Sequence, residues 1–321
     1  MLKPLCLGGC LLLASPALAA AQDAPADSPD PQRIALLKDI LASEHPQKGD
    51  VHLAAAGTTL HLGDRYYFLG PADSKRVLVE AWRNPAGSAD GVLGLIFPAG
   101  ATFDDSWGAV VTYEATGHVS DKDAATADYD KLLEQSRKDE GEVNAQRQKA
   151  GFPAIHLVGW AQAPTYDAAS HSEVWARDIQ FTGQSVDTLN YDTRILGRAG
   201  VLSLNLVSAM DALSQTRDAA NELARNVAFD PGARYEDFQK GSDKEAEYGI
   251  GGLIAAGMGV AVAQKFGLLA ALLLFAKKGL VVIVAAGAWL MTRVRRMLGL
   301  AKPKPAPALP VPPAAADDTA P

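Results

Sequence analysis

The sequence predicts an α+β fold, an antiparallel sheet packed with helices, followed by a C-terminal membrane helical segment. Three observations carry this. Extended segments succeed one another between residues 154 and 207. The links between them are far shorter than the roughly dozen residues a parallel crossover needs, so neighbours are antiparallel. Helical patterns lie before, between and after these segments without alternating one for one, the order of an α+β rather than an α/β domain. Finally, Gly249–Thr292 is almost uncharged and runs into a basic cluster, the pattern of a membrane segment with cytoplasmic positive flanks.

Residues 1–21 read as a signal peptide: Lys3, an apolar run from Leu5 to Leu13, a break at Pro16, and Ala17-Leu18-Ala19 as a cleavage site. The run is too short to cross a ~30 Å hydrocarbon core; a retained anchor is the alternative. Leu7-Gly8-Gly9-Cys10 superficially resembles a lipoprotein site, but Cys10 lies inside the apolar run. Both cysteines, Cys6 and Cys10, fall in this segment. The mature chain is therefore expected to lack thiolate catalysis, Cys metal sites and disulfides. Residues 22–30 form a polar linker.

Residues 31–248 read as the exported, periplasmic domain. Pro31–Glu44 is a helix with Ile34, Leu37 and Leu41 on one side. Thr58–Leu62 and Tyr66–Leu69 are extended. Asp73 is expected to cap a helix running to Trp82, stopped by Asn84-Pro85. Gly91–Phe97 and Trp107–Ala115 are strands, with Trp107, Ala109, Val111 and Tyr113 on one face. Gly117-His118-Val119 turns the chain into a long helix over about Asp121–Lys149. Strands follow at Ala154–Gln162, Glu173–Phe181, Thr188–Leu196 and Val201–Val207, then a helix over Ser208–Val227 with Met210, Leu213, Ala220, Leu223 and Val227 inward. Hairpins, a long helix and then Phe229 or Phe238 resemble the PsbP-like sandwich in order, a likeness of fold that confers no function.

The membrane segment, 249–297, divides at Gln264-Lys265 and Lys277-Lys278. A span over 266–292 would bury two lysines near the midplane at a cost of about 5–7 kcal/mol. A span over 279–292 lets Lys278 and Arg293 snorkel to the rims and leaves five positive residues in the cytoplasm. One crossing is therefore favoured over a hairpin of two; a buried pair of soluble helices is the remaining alternative. Gly251, Ala255, Gly259 and Ala263 recur every four residues, a small-residue ridge for self-association, another membrane helix, or the chain's own next helix. Residues 298–321 are too rich in proline and alanine to fold and read as a tail.

The whole chain has net charge −7, with +1 in residues 1–21 and +6 from residue 264 onward, so 22–263 carries −14. An exported domain this acidic repels nucleic acid, which is excluded as a partner; solubility is the plain reason for the excess acid.

No metal site or cofactor is indicated. Counted from Asp121, an EF-hand would need Gly and Glu where Thr126 and Leu132 stand, so Ser120 with Asp123 reads as a helix cap. The six histidines show neither an i, i+4 pair nor HExxH, and Gly183-Gln184-Ser185-Val186-Asp187 misses the last glycine of a nucleophile elbow. His156 is expected on the outer sheet face and His171 in a loop. The densest aromatic–arginine set is Trp160, Tyr166, His171, Trp175, Arg177, Asn190, Arg194 and Arg198. On strands, Trp175 and Arg177 point one way, as do Asn190 and Arg194. The set forms either a binding surface for a peptide, glycan or partner loop, or cross-strand pairs that stiffen the sheet, with Arg194 neutralising Asp178 or Asp192.

The runs GHVSDKDA, GFPAIHLVGWAQAPTYD, SEVWARDI, TLNYDTRILGRAGVLSLN and YEDFQKGSDKEAEYGIGGLIA resemble a bacterial family of exported, membrane-anchored proteins, domain of unknown function 2167, over roughly residues 40–292. The resemblance implies an inner-membrane protein with its main domain in the periplasm and implies no catalytic residues. The expected function is a non-enzymatic, membrane-anchored module of the cell envelope. Its partners would be the lipid bilayer and an envelope protein or further copies of itself. The alternative is an envelope hydrolase using Asp121, Asp123 or Asp167 with His171.

Overall fold

The computed structural model describes residues 30–103 and 107–258. They belong to one compact unit, Met1–Val262. The expected signal peptide, the expected linker up to residue 29, the expected tail, and the expected membrane segment beyond Met258, including Gly259 and Ala263, lie outside the described residues. Among the described residues no helix is long and apolar enough to cross a membrane.

The elements are α1 (Pro31–Ser43), β1 (Asp50–Leu53), β2 (Thr58–His61), β3 (Tyr66–Leu69), α2 (Pro71–Lys75), β4 (Val92–Pro98), β5 (Gly108–Glu114), β6 (His118–Ser120), α3 (Tyr129–Lys149) and β7 (Ile155–Asp167). After these come β8 (Ser172–Phe181), β9 (Thr188–Leu196), β10 (Val201–Ala209), α4 (Leu213–Arg225), β11 (Val227–Phe229), β12 (Glu245–Gly249) and α5 (Ile250–Gly257). The main sheet is antiparallel throughout, in the order β3-β4-β5-β10-β9-β8-β7. A smaller antiparallel sheet, β1-β2-β11, and a parallel pair, β12-β6, complete the α+β fold.

Alternation along the strands gives the main sheet two buried faces. On one, Ala109, Val111, Ala176, Leu189, Tyr191, Ile195, Leu202, Leu204 and Leu206 pack with β1, β2 and Ala219, Ala220 and Leu223 of α4. Trp107 joins this cluster and Tyr113 packs against it, the face the sequence predicts. The other face carries two separate apolar clusters. At the β3–β5 side, Tyr67, Leu69, Leu95, Phe97 and Val110 meet Ile40 of α1 and Val77, Leu78 and Trp82. At the β7–β8 side, Ile155, Leu157, Trp175, Ile179 and Phe181 meet α5 through Ile250, Leu253 and Ile254, with Leu132, Leu133 and Val143 of α3 packed alongside.

Several boundaries differ from expectation for local reasons. The long helix begins at Tyr129, eight residues late. Asp128 is its cap, accepting the Lys131 N–H at 3.0 Å, while Asp121–Ala127 forms turns. Asp73 caps nothing: α2 starts at Pro71, which has no N–H to leave unpaired, and Asp73 accepts the His45 N–H. Beyond Lys75 the helix widens into a π-turn over Arg76–Ala81, closed by Trp82 N–H to Val77 O at 2.7 Å. The last helix starts at Leu213 because Ser208 and Ala209 remain paired with β9. β7 runs on to Asp167 through three register shifts, and Pro164 is tolerated because β7 is an edge strand.

α3 has no buried residue, and its polar side chains close part of the β7 edge. Asn144 pairs with both the N–H and the C=O of Ile155, Glu140 accepts the Leu157 N–H, and Arg137 donates to the Leu157 and Val158 carbonyls. His156 points outward onto Glu140 at 3.2 Å. A long helix can therefore lie on a sheet edge without the apolar stripe that periodicity looks for.

Candidate functional site

Strand register separates the eight residues singled out from the sequence. Trp175, Arg177, Asn190 and Arg194 share one sheet face, in rungs Trp175–Asp192, Arg177–Asn190 and Glu173–Arg194. All four are buried, and Trp175 is itself part of the β7–β8 apolar cluster of that face. Asp192 is the hub. It accepts from Arg177 Nη2 at 3.2 Å and from Arg194 Nη2 at 3.3 Å, and Arg194 also donates to Ser203 and Glu114. The Arg194 guanidinium lies over the Trp175 ring at 5.4 Å. Such a buried ladder is costly to break, because removing one partner leaves a buried charge uncompensated. Trp160, half-buried on β7, packs at the edge of the α5 cluster.

Tyr166, His171 and Arg198 lie at one end of the sheet, where the β7–β8 turn, the β9–β10 turn, β6 and the loop 230–243 converge. There the rings of Phe238, His118, Tyr235 and His171 form a continuous stack. Successive centroids are 3.9, 4.3 and 4.1 Å apart. His171 holds a φ of 47°, left-handed backbone that a side-chain-bearing residue rarely adopts, and such local strain concentrates at functional positions. The Tyr235 hydroxyl donates to the Val119 carbonyl at 3.0 Å. Arg198 grips Asp243 with two bonds of 2.8 and 2.9 Å, tying the β9–β10 turn to the loop that carries Tyr235.

The stack ends in a polar line. Tyr166 donates to Asp121 Oδ2 at 2.9 Å, and its oxygen is 3.2 Å from His171 Nδ1. A phenol has one proton to give; with that proton on Asp121, Nδ1–H must be the donor to the phenol oxygen. The hydrogen-bond network thus places a proton on Nδ1 of His171. Burial, then the bond to Asp121, pushes the Tyr166 hydroxyl far above its ordinary value. Tyr235 is pushed up to about 12, by burial and then Asp121. Burial also lowers His118, against the opposing pull of Asp121, Glu245 and Asp243.

The other acids have separate roles. Asp123, two residues from Asp121, accepts the Ile250 N–H at 2.8 Å and the Gly251 N–H at 3.1 Å, capping α5. Sequence reasoning assigned Asp123 to its own neighbourhood; its partners are 127 and 128 residues away. Asp167 closes its own turn onto Ala169 and Ser170. Glu173 is wholly buried, and neither carboxyl oxygen has a hydrogen-bond partner. Burial first, and Asp123 second, raise it to about 8.

α5 is the beginning of the apolar stretch, and it is core. Of the small-residue ridge, Ala255 is buried and Gly251 faces Ala127 and Asp123. Gly249 must lack a side chain, since a Cβ there would fall 2.3 Å from Asp123 Oδ1.

Sequence reasoning missed Tyr235 as a site residue, although YEDF is an aromatic-bearing run after Gly232. It also missed an open cleft of about 540 Å³ beside α4, lined by Arg65, Tyr66, Trp107, Asp218 and Glu222 among others. There Glu222 accepts from Tyr66 at 2.9 Å and Arg65 at 2.7 Å.

The model of a family described as "Protein of unknown function (DUF2167)" matches residues 45–288, and the chain belongs to that family. No curated protein matches the sequence. Among solved structures, the chain is similar to the solution structure of cyanobacterial PsbP (CyanoP) from Synechocystis sp. PCC 6803. Identity is 8%, covering 56% of this chain and 91% of that one, with a TM-score of 0.35, too slight a likeness to carry an argument.

Proposed function

We propose that this chain, as a member of the DUF2167 family, is an exported, membrane-tethered and non-enzymatic module of the cell envelope. Its periplasmic domain docks a protein partner, another envelope protein or a second copy, at the sheet end formed by His118, His171, Tyr235 and Phe238. The ring stack is the observation that carries this reading: four contacting rings, half-buried, on converging loops, with one ring on strained backbone. Preorganised aromatic surfaces of this kind bind partners at low entropic cost. The tether is supported by the apolar composition of 249–292 and the positive residues after it. The docking of α5 in the core supports a domain that moves with the root of that segment.

The tether and the export are tested together by protease treatment of spheroplasts followed by ultracentrifugation. The expected result is a membrane-pelleted chain whose domain is cut from outside. A chain that stays in the supernatant, or a domain cut only after lysis, overturns the reading.

One observation favours a second reading, an envelope hydrolase: the Asp121–Tyr166–His171 line orients an imidazole through its Nδ1. It requires turnover of an envelope substrate that Asp121→Asn and His171→Ala abolish in a folded protein.

A further inference from the structure

We propose that Glu173 is a proton-operated latch on α5: protonated, it lets the helix stay docked in the domain core, and ionised, it loosens the helix. This goes beyond docking at the sheet end and does not depend on the partner.

Glu173 lies on β8 with no exposed surface and no hydrogen bond to either oxygen. An ionised carboxylate in such a place is costly unless paired. Its cross-strand neighbour on β9 is Arg194, which would be the natural partner. Glu173 nevertheless makes no bond to it, and Arg194 donates instead to Asp192, Ser203 and Glu114. On β7 the neighbour is Tyr166, whose proton is committed to Asp121 and whose oxygen faces His171. At the start of α3, Tyr129 is raised to about 12 by burial and then by Glu173 and Asp123. α5, with the sequence IGGLIAAG, brings no titratable side chain. Only the capping carboxylate of Asp123 adds charge from that side, and it is negative.

Burial, Asp123 and the absence of any hydrogen bond to Glu173 favour the neutral acid, against Arg194, which is turned to Asp192, Ser203 and Glu114. Ionisation would place a second negative charge near Asp123 on a carboxyl that makes no hydrogen bond in the docked state. Lifting α5 off Trp175 and its surroundings is the local way to admit water. The contact that holds α5 is close: a Cβ on Gly257 would lie 2.6 Å from the Trp175 ring.

The sign follows from linkage. Docked, Glu173 holds its proton up to about pH 8; with α5 lifted and the group hydrated, it returns toward an ordinary value of about 4.3. The docked state thus binds more protons between those limits. Docking is strongest below them, weakens by up to about tenfold per pH unit as pH rises, and levels off above the upper one.

The test is amide hydrogen exchange of the full-length chain between about pH 5 and about pH 9.5, with protection corrected for the intrinsic rate. In the wild type, protection of α5 should fall by up to about tenfold per unit and flatten above about pH 8. Protection of β9 should not follow it. In Glu173→Gln, α5 should keep constant protection throughout. A flat wild-type profile, or an equal slope in Glu173→Gln, overturns the proposal. Should Glu173→Gln fail to fold, Asp123→Asn decides: removing one of the two causes of the upward shift must move the flattening point to lower pH, and an unmoved point overturns the latch. None of these readouts depends on a bound partner, so they fail or succeed separately from the docking reading.

Discussion

Gly257 of α5 sits against the indole of Trp175 so closely that a Cβ would fall 2.6 Å from Cζ2 and 3.3 Å from Arg194 Nη2. A flat, wholly buried ring on β8 is what receives the root of the apolar segment. Gly257→Ala should therefore push α5 outward at a cost of about 1–3 kcal/mol, the usual range for overpacking. Urea unfolding of the variant, together with faster amide exchange confined to α5, measures it.

The cap at the other end of α5 makes a separable contribution. Asp123→Ala removes the acceptor for the Ile250 and Gly251 amides and should cost about 0.5–2 kcal/mol. Asp123→Asn, which keeps a side-chain oxygen, should lose less. Denaturant melts of the two variants side by side check the order.

Trp175→Ala and Arg194→Ala are expected to destabilise the domain rather than expose a missing surface. Truncating a buried tryptophan costs about 3–5 kcal/mol. Removing Arg194 strands part of the Asp192 and Glu114 charge it engages, at about 3–5 kcal/mol for a buried pair. Thermal melting reads both. His171→Ala and Phe238→Ala, at half-buried positions of the ring stack, should stay folded and lose partner binding.

The Arg198–Asp243 pair is a pH probe of the loop that carries Tyr235. The bond from Arg198, then the Gln239 N–H, hold Asp243 down to about 2. The depressed value means that the pair's contribution is present above the ordinary aspartate range of about 3.9 and is lost as pH falls toward 2. Carboxyl NMR titration of Arg198→Ala should return Asp243 toward that ordinary range.

Much of the sheet is legible in the sequence because alternation with period two and short links leave few options. β9, Thr188–Leu196, coincides with its expected bounds, and Trp107, Ala109, Val111 and Tyr113 share a face. The same alternation placed Trp175 with Arg177 and Asn190 with Arg194. It could not tell a solvent-facing row from one buried where α5 meets the sheet, because both read as polar residues on a strand. α3 lacks an apolar stripe, so only its length and polarity were visible, not its seat on the β7 edge. The site itself was half visible. Tyr166 and His171 lie across one turn, and the sequence already suggests Asp121 as a companion of His171, but His118, Tyr235 and Phe238 join them through contacts far apart in sequence. Asp123 was misread as a local helix cap because its acceptor role serves a helix 127 residues later.

The docking claim is tested most directly by photo-crosslinking in living cells from a reactive residue placed at Phe238, with the same residue at Lys138 on the exposed side of α3 as control. A discrete protein adduct, heterologous or a second copy, formed from position 238, absent from position 138 and lost with His171→Ala, is the predicted result. An uncrosslinked chain at position 238, or the same adduct from both positions, contradicts the account.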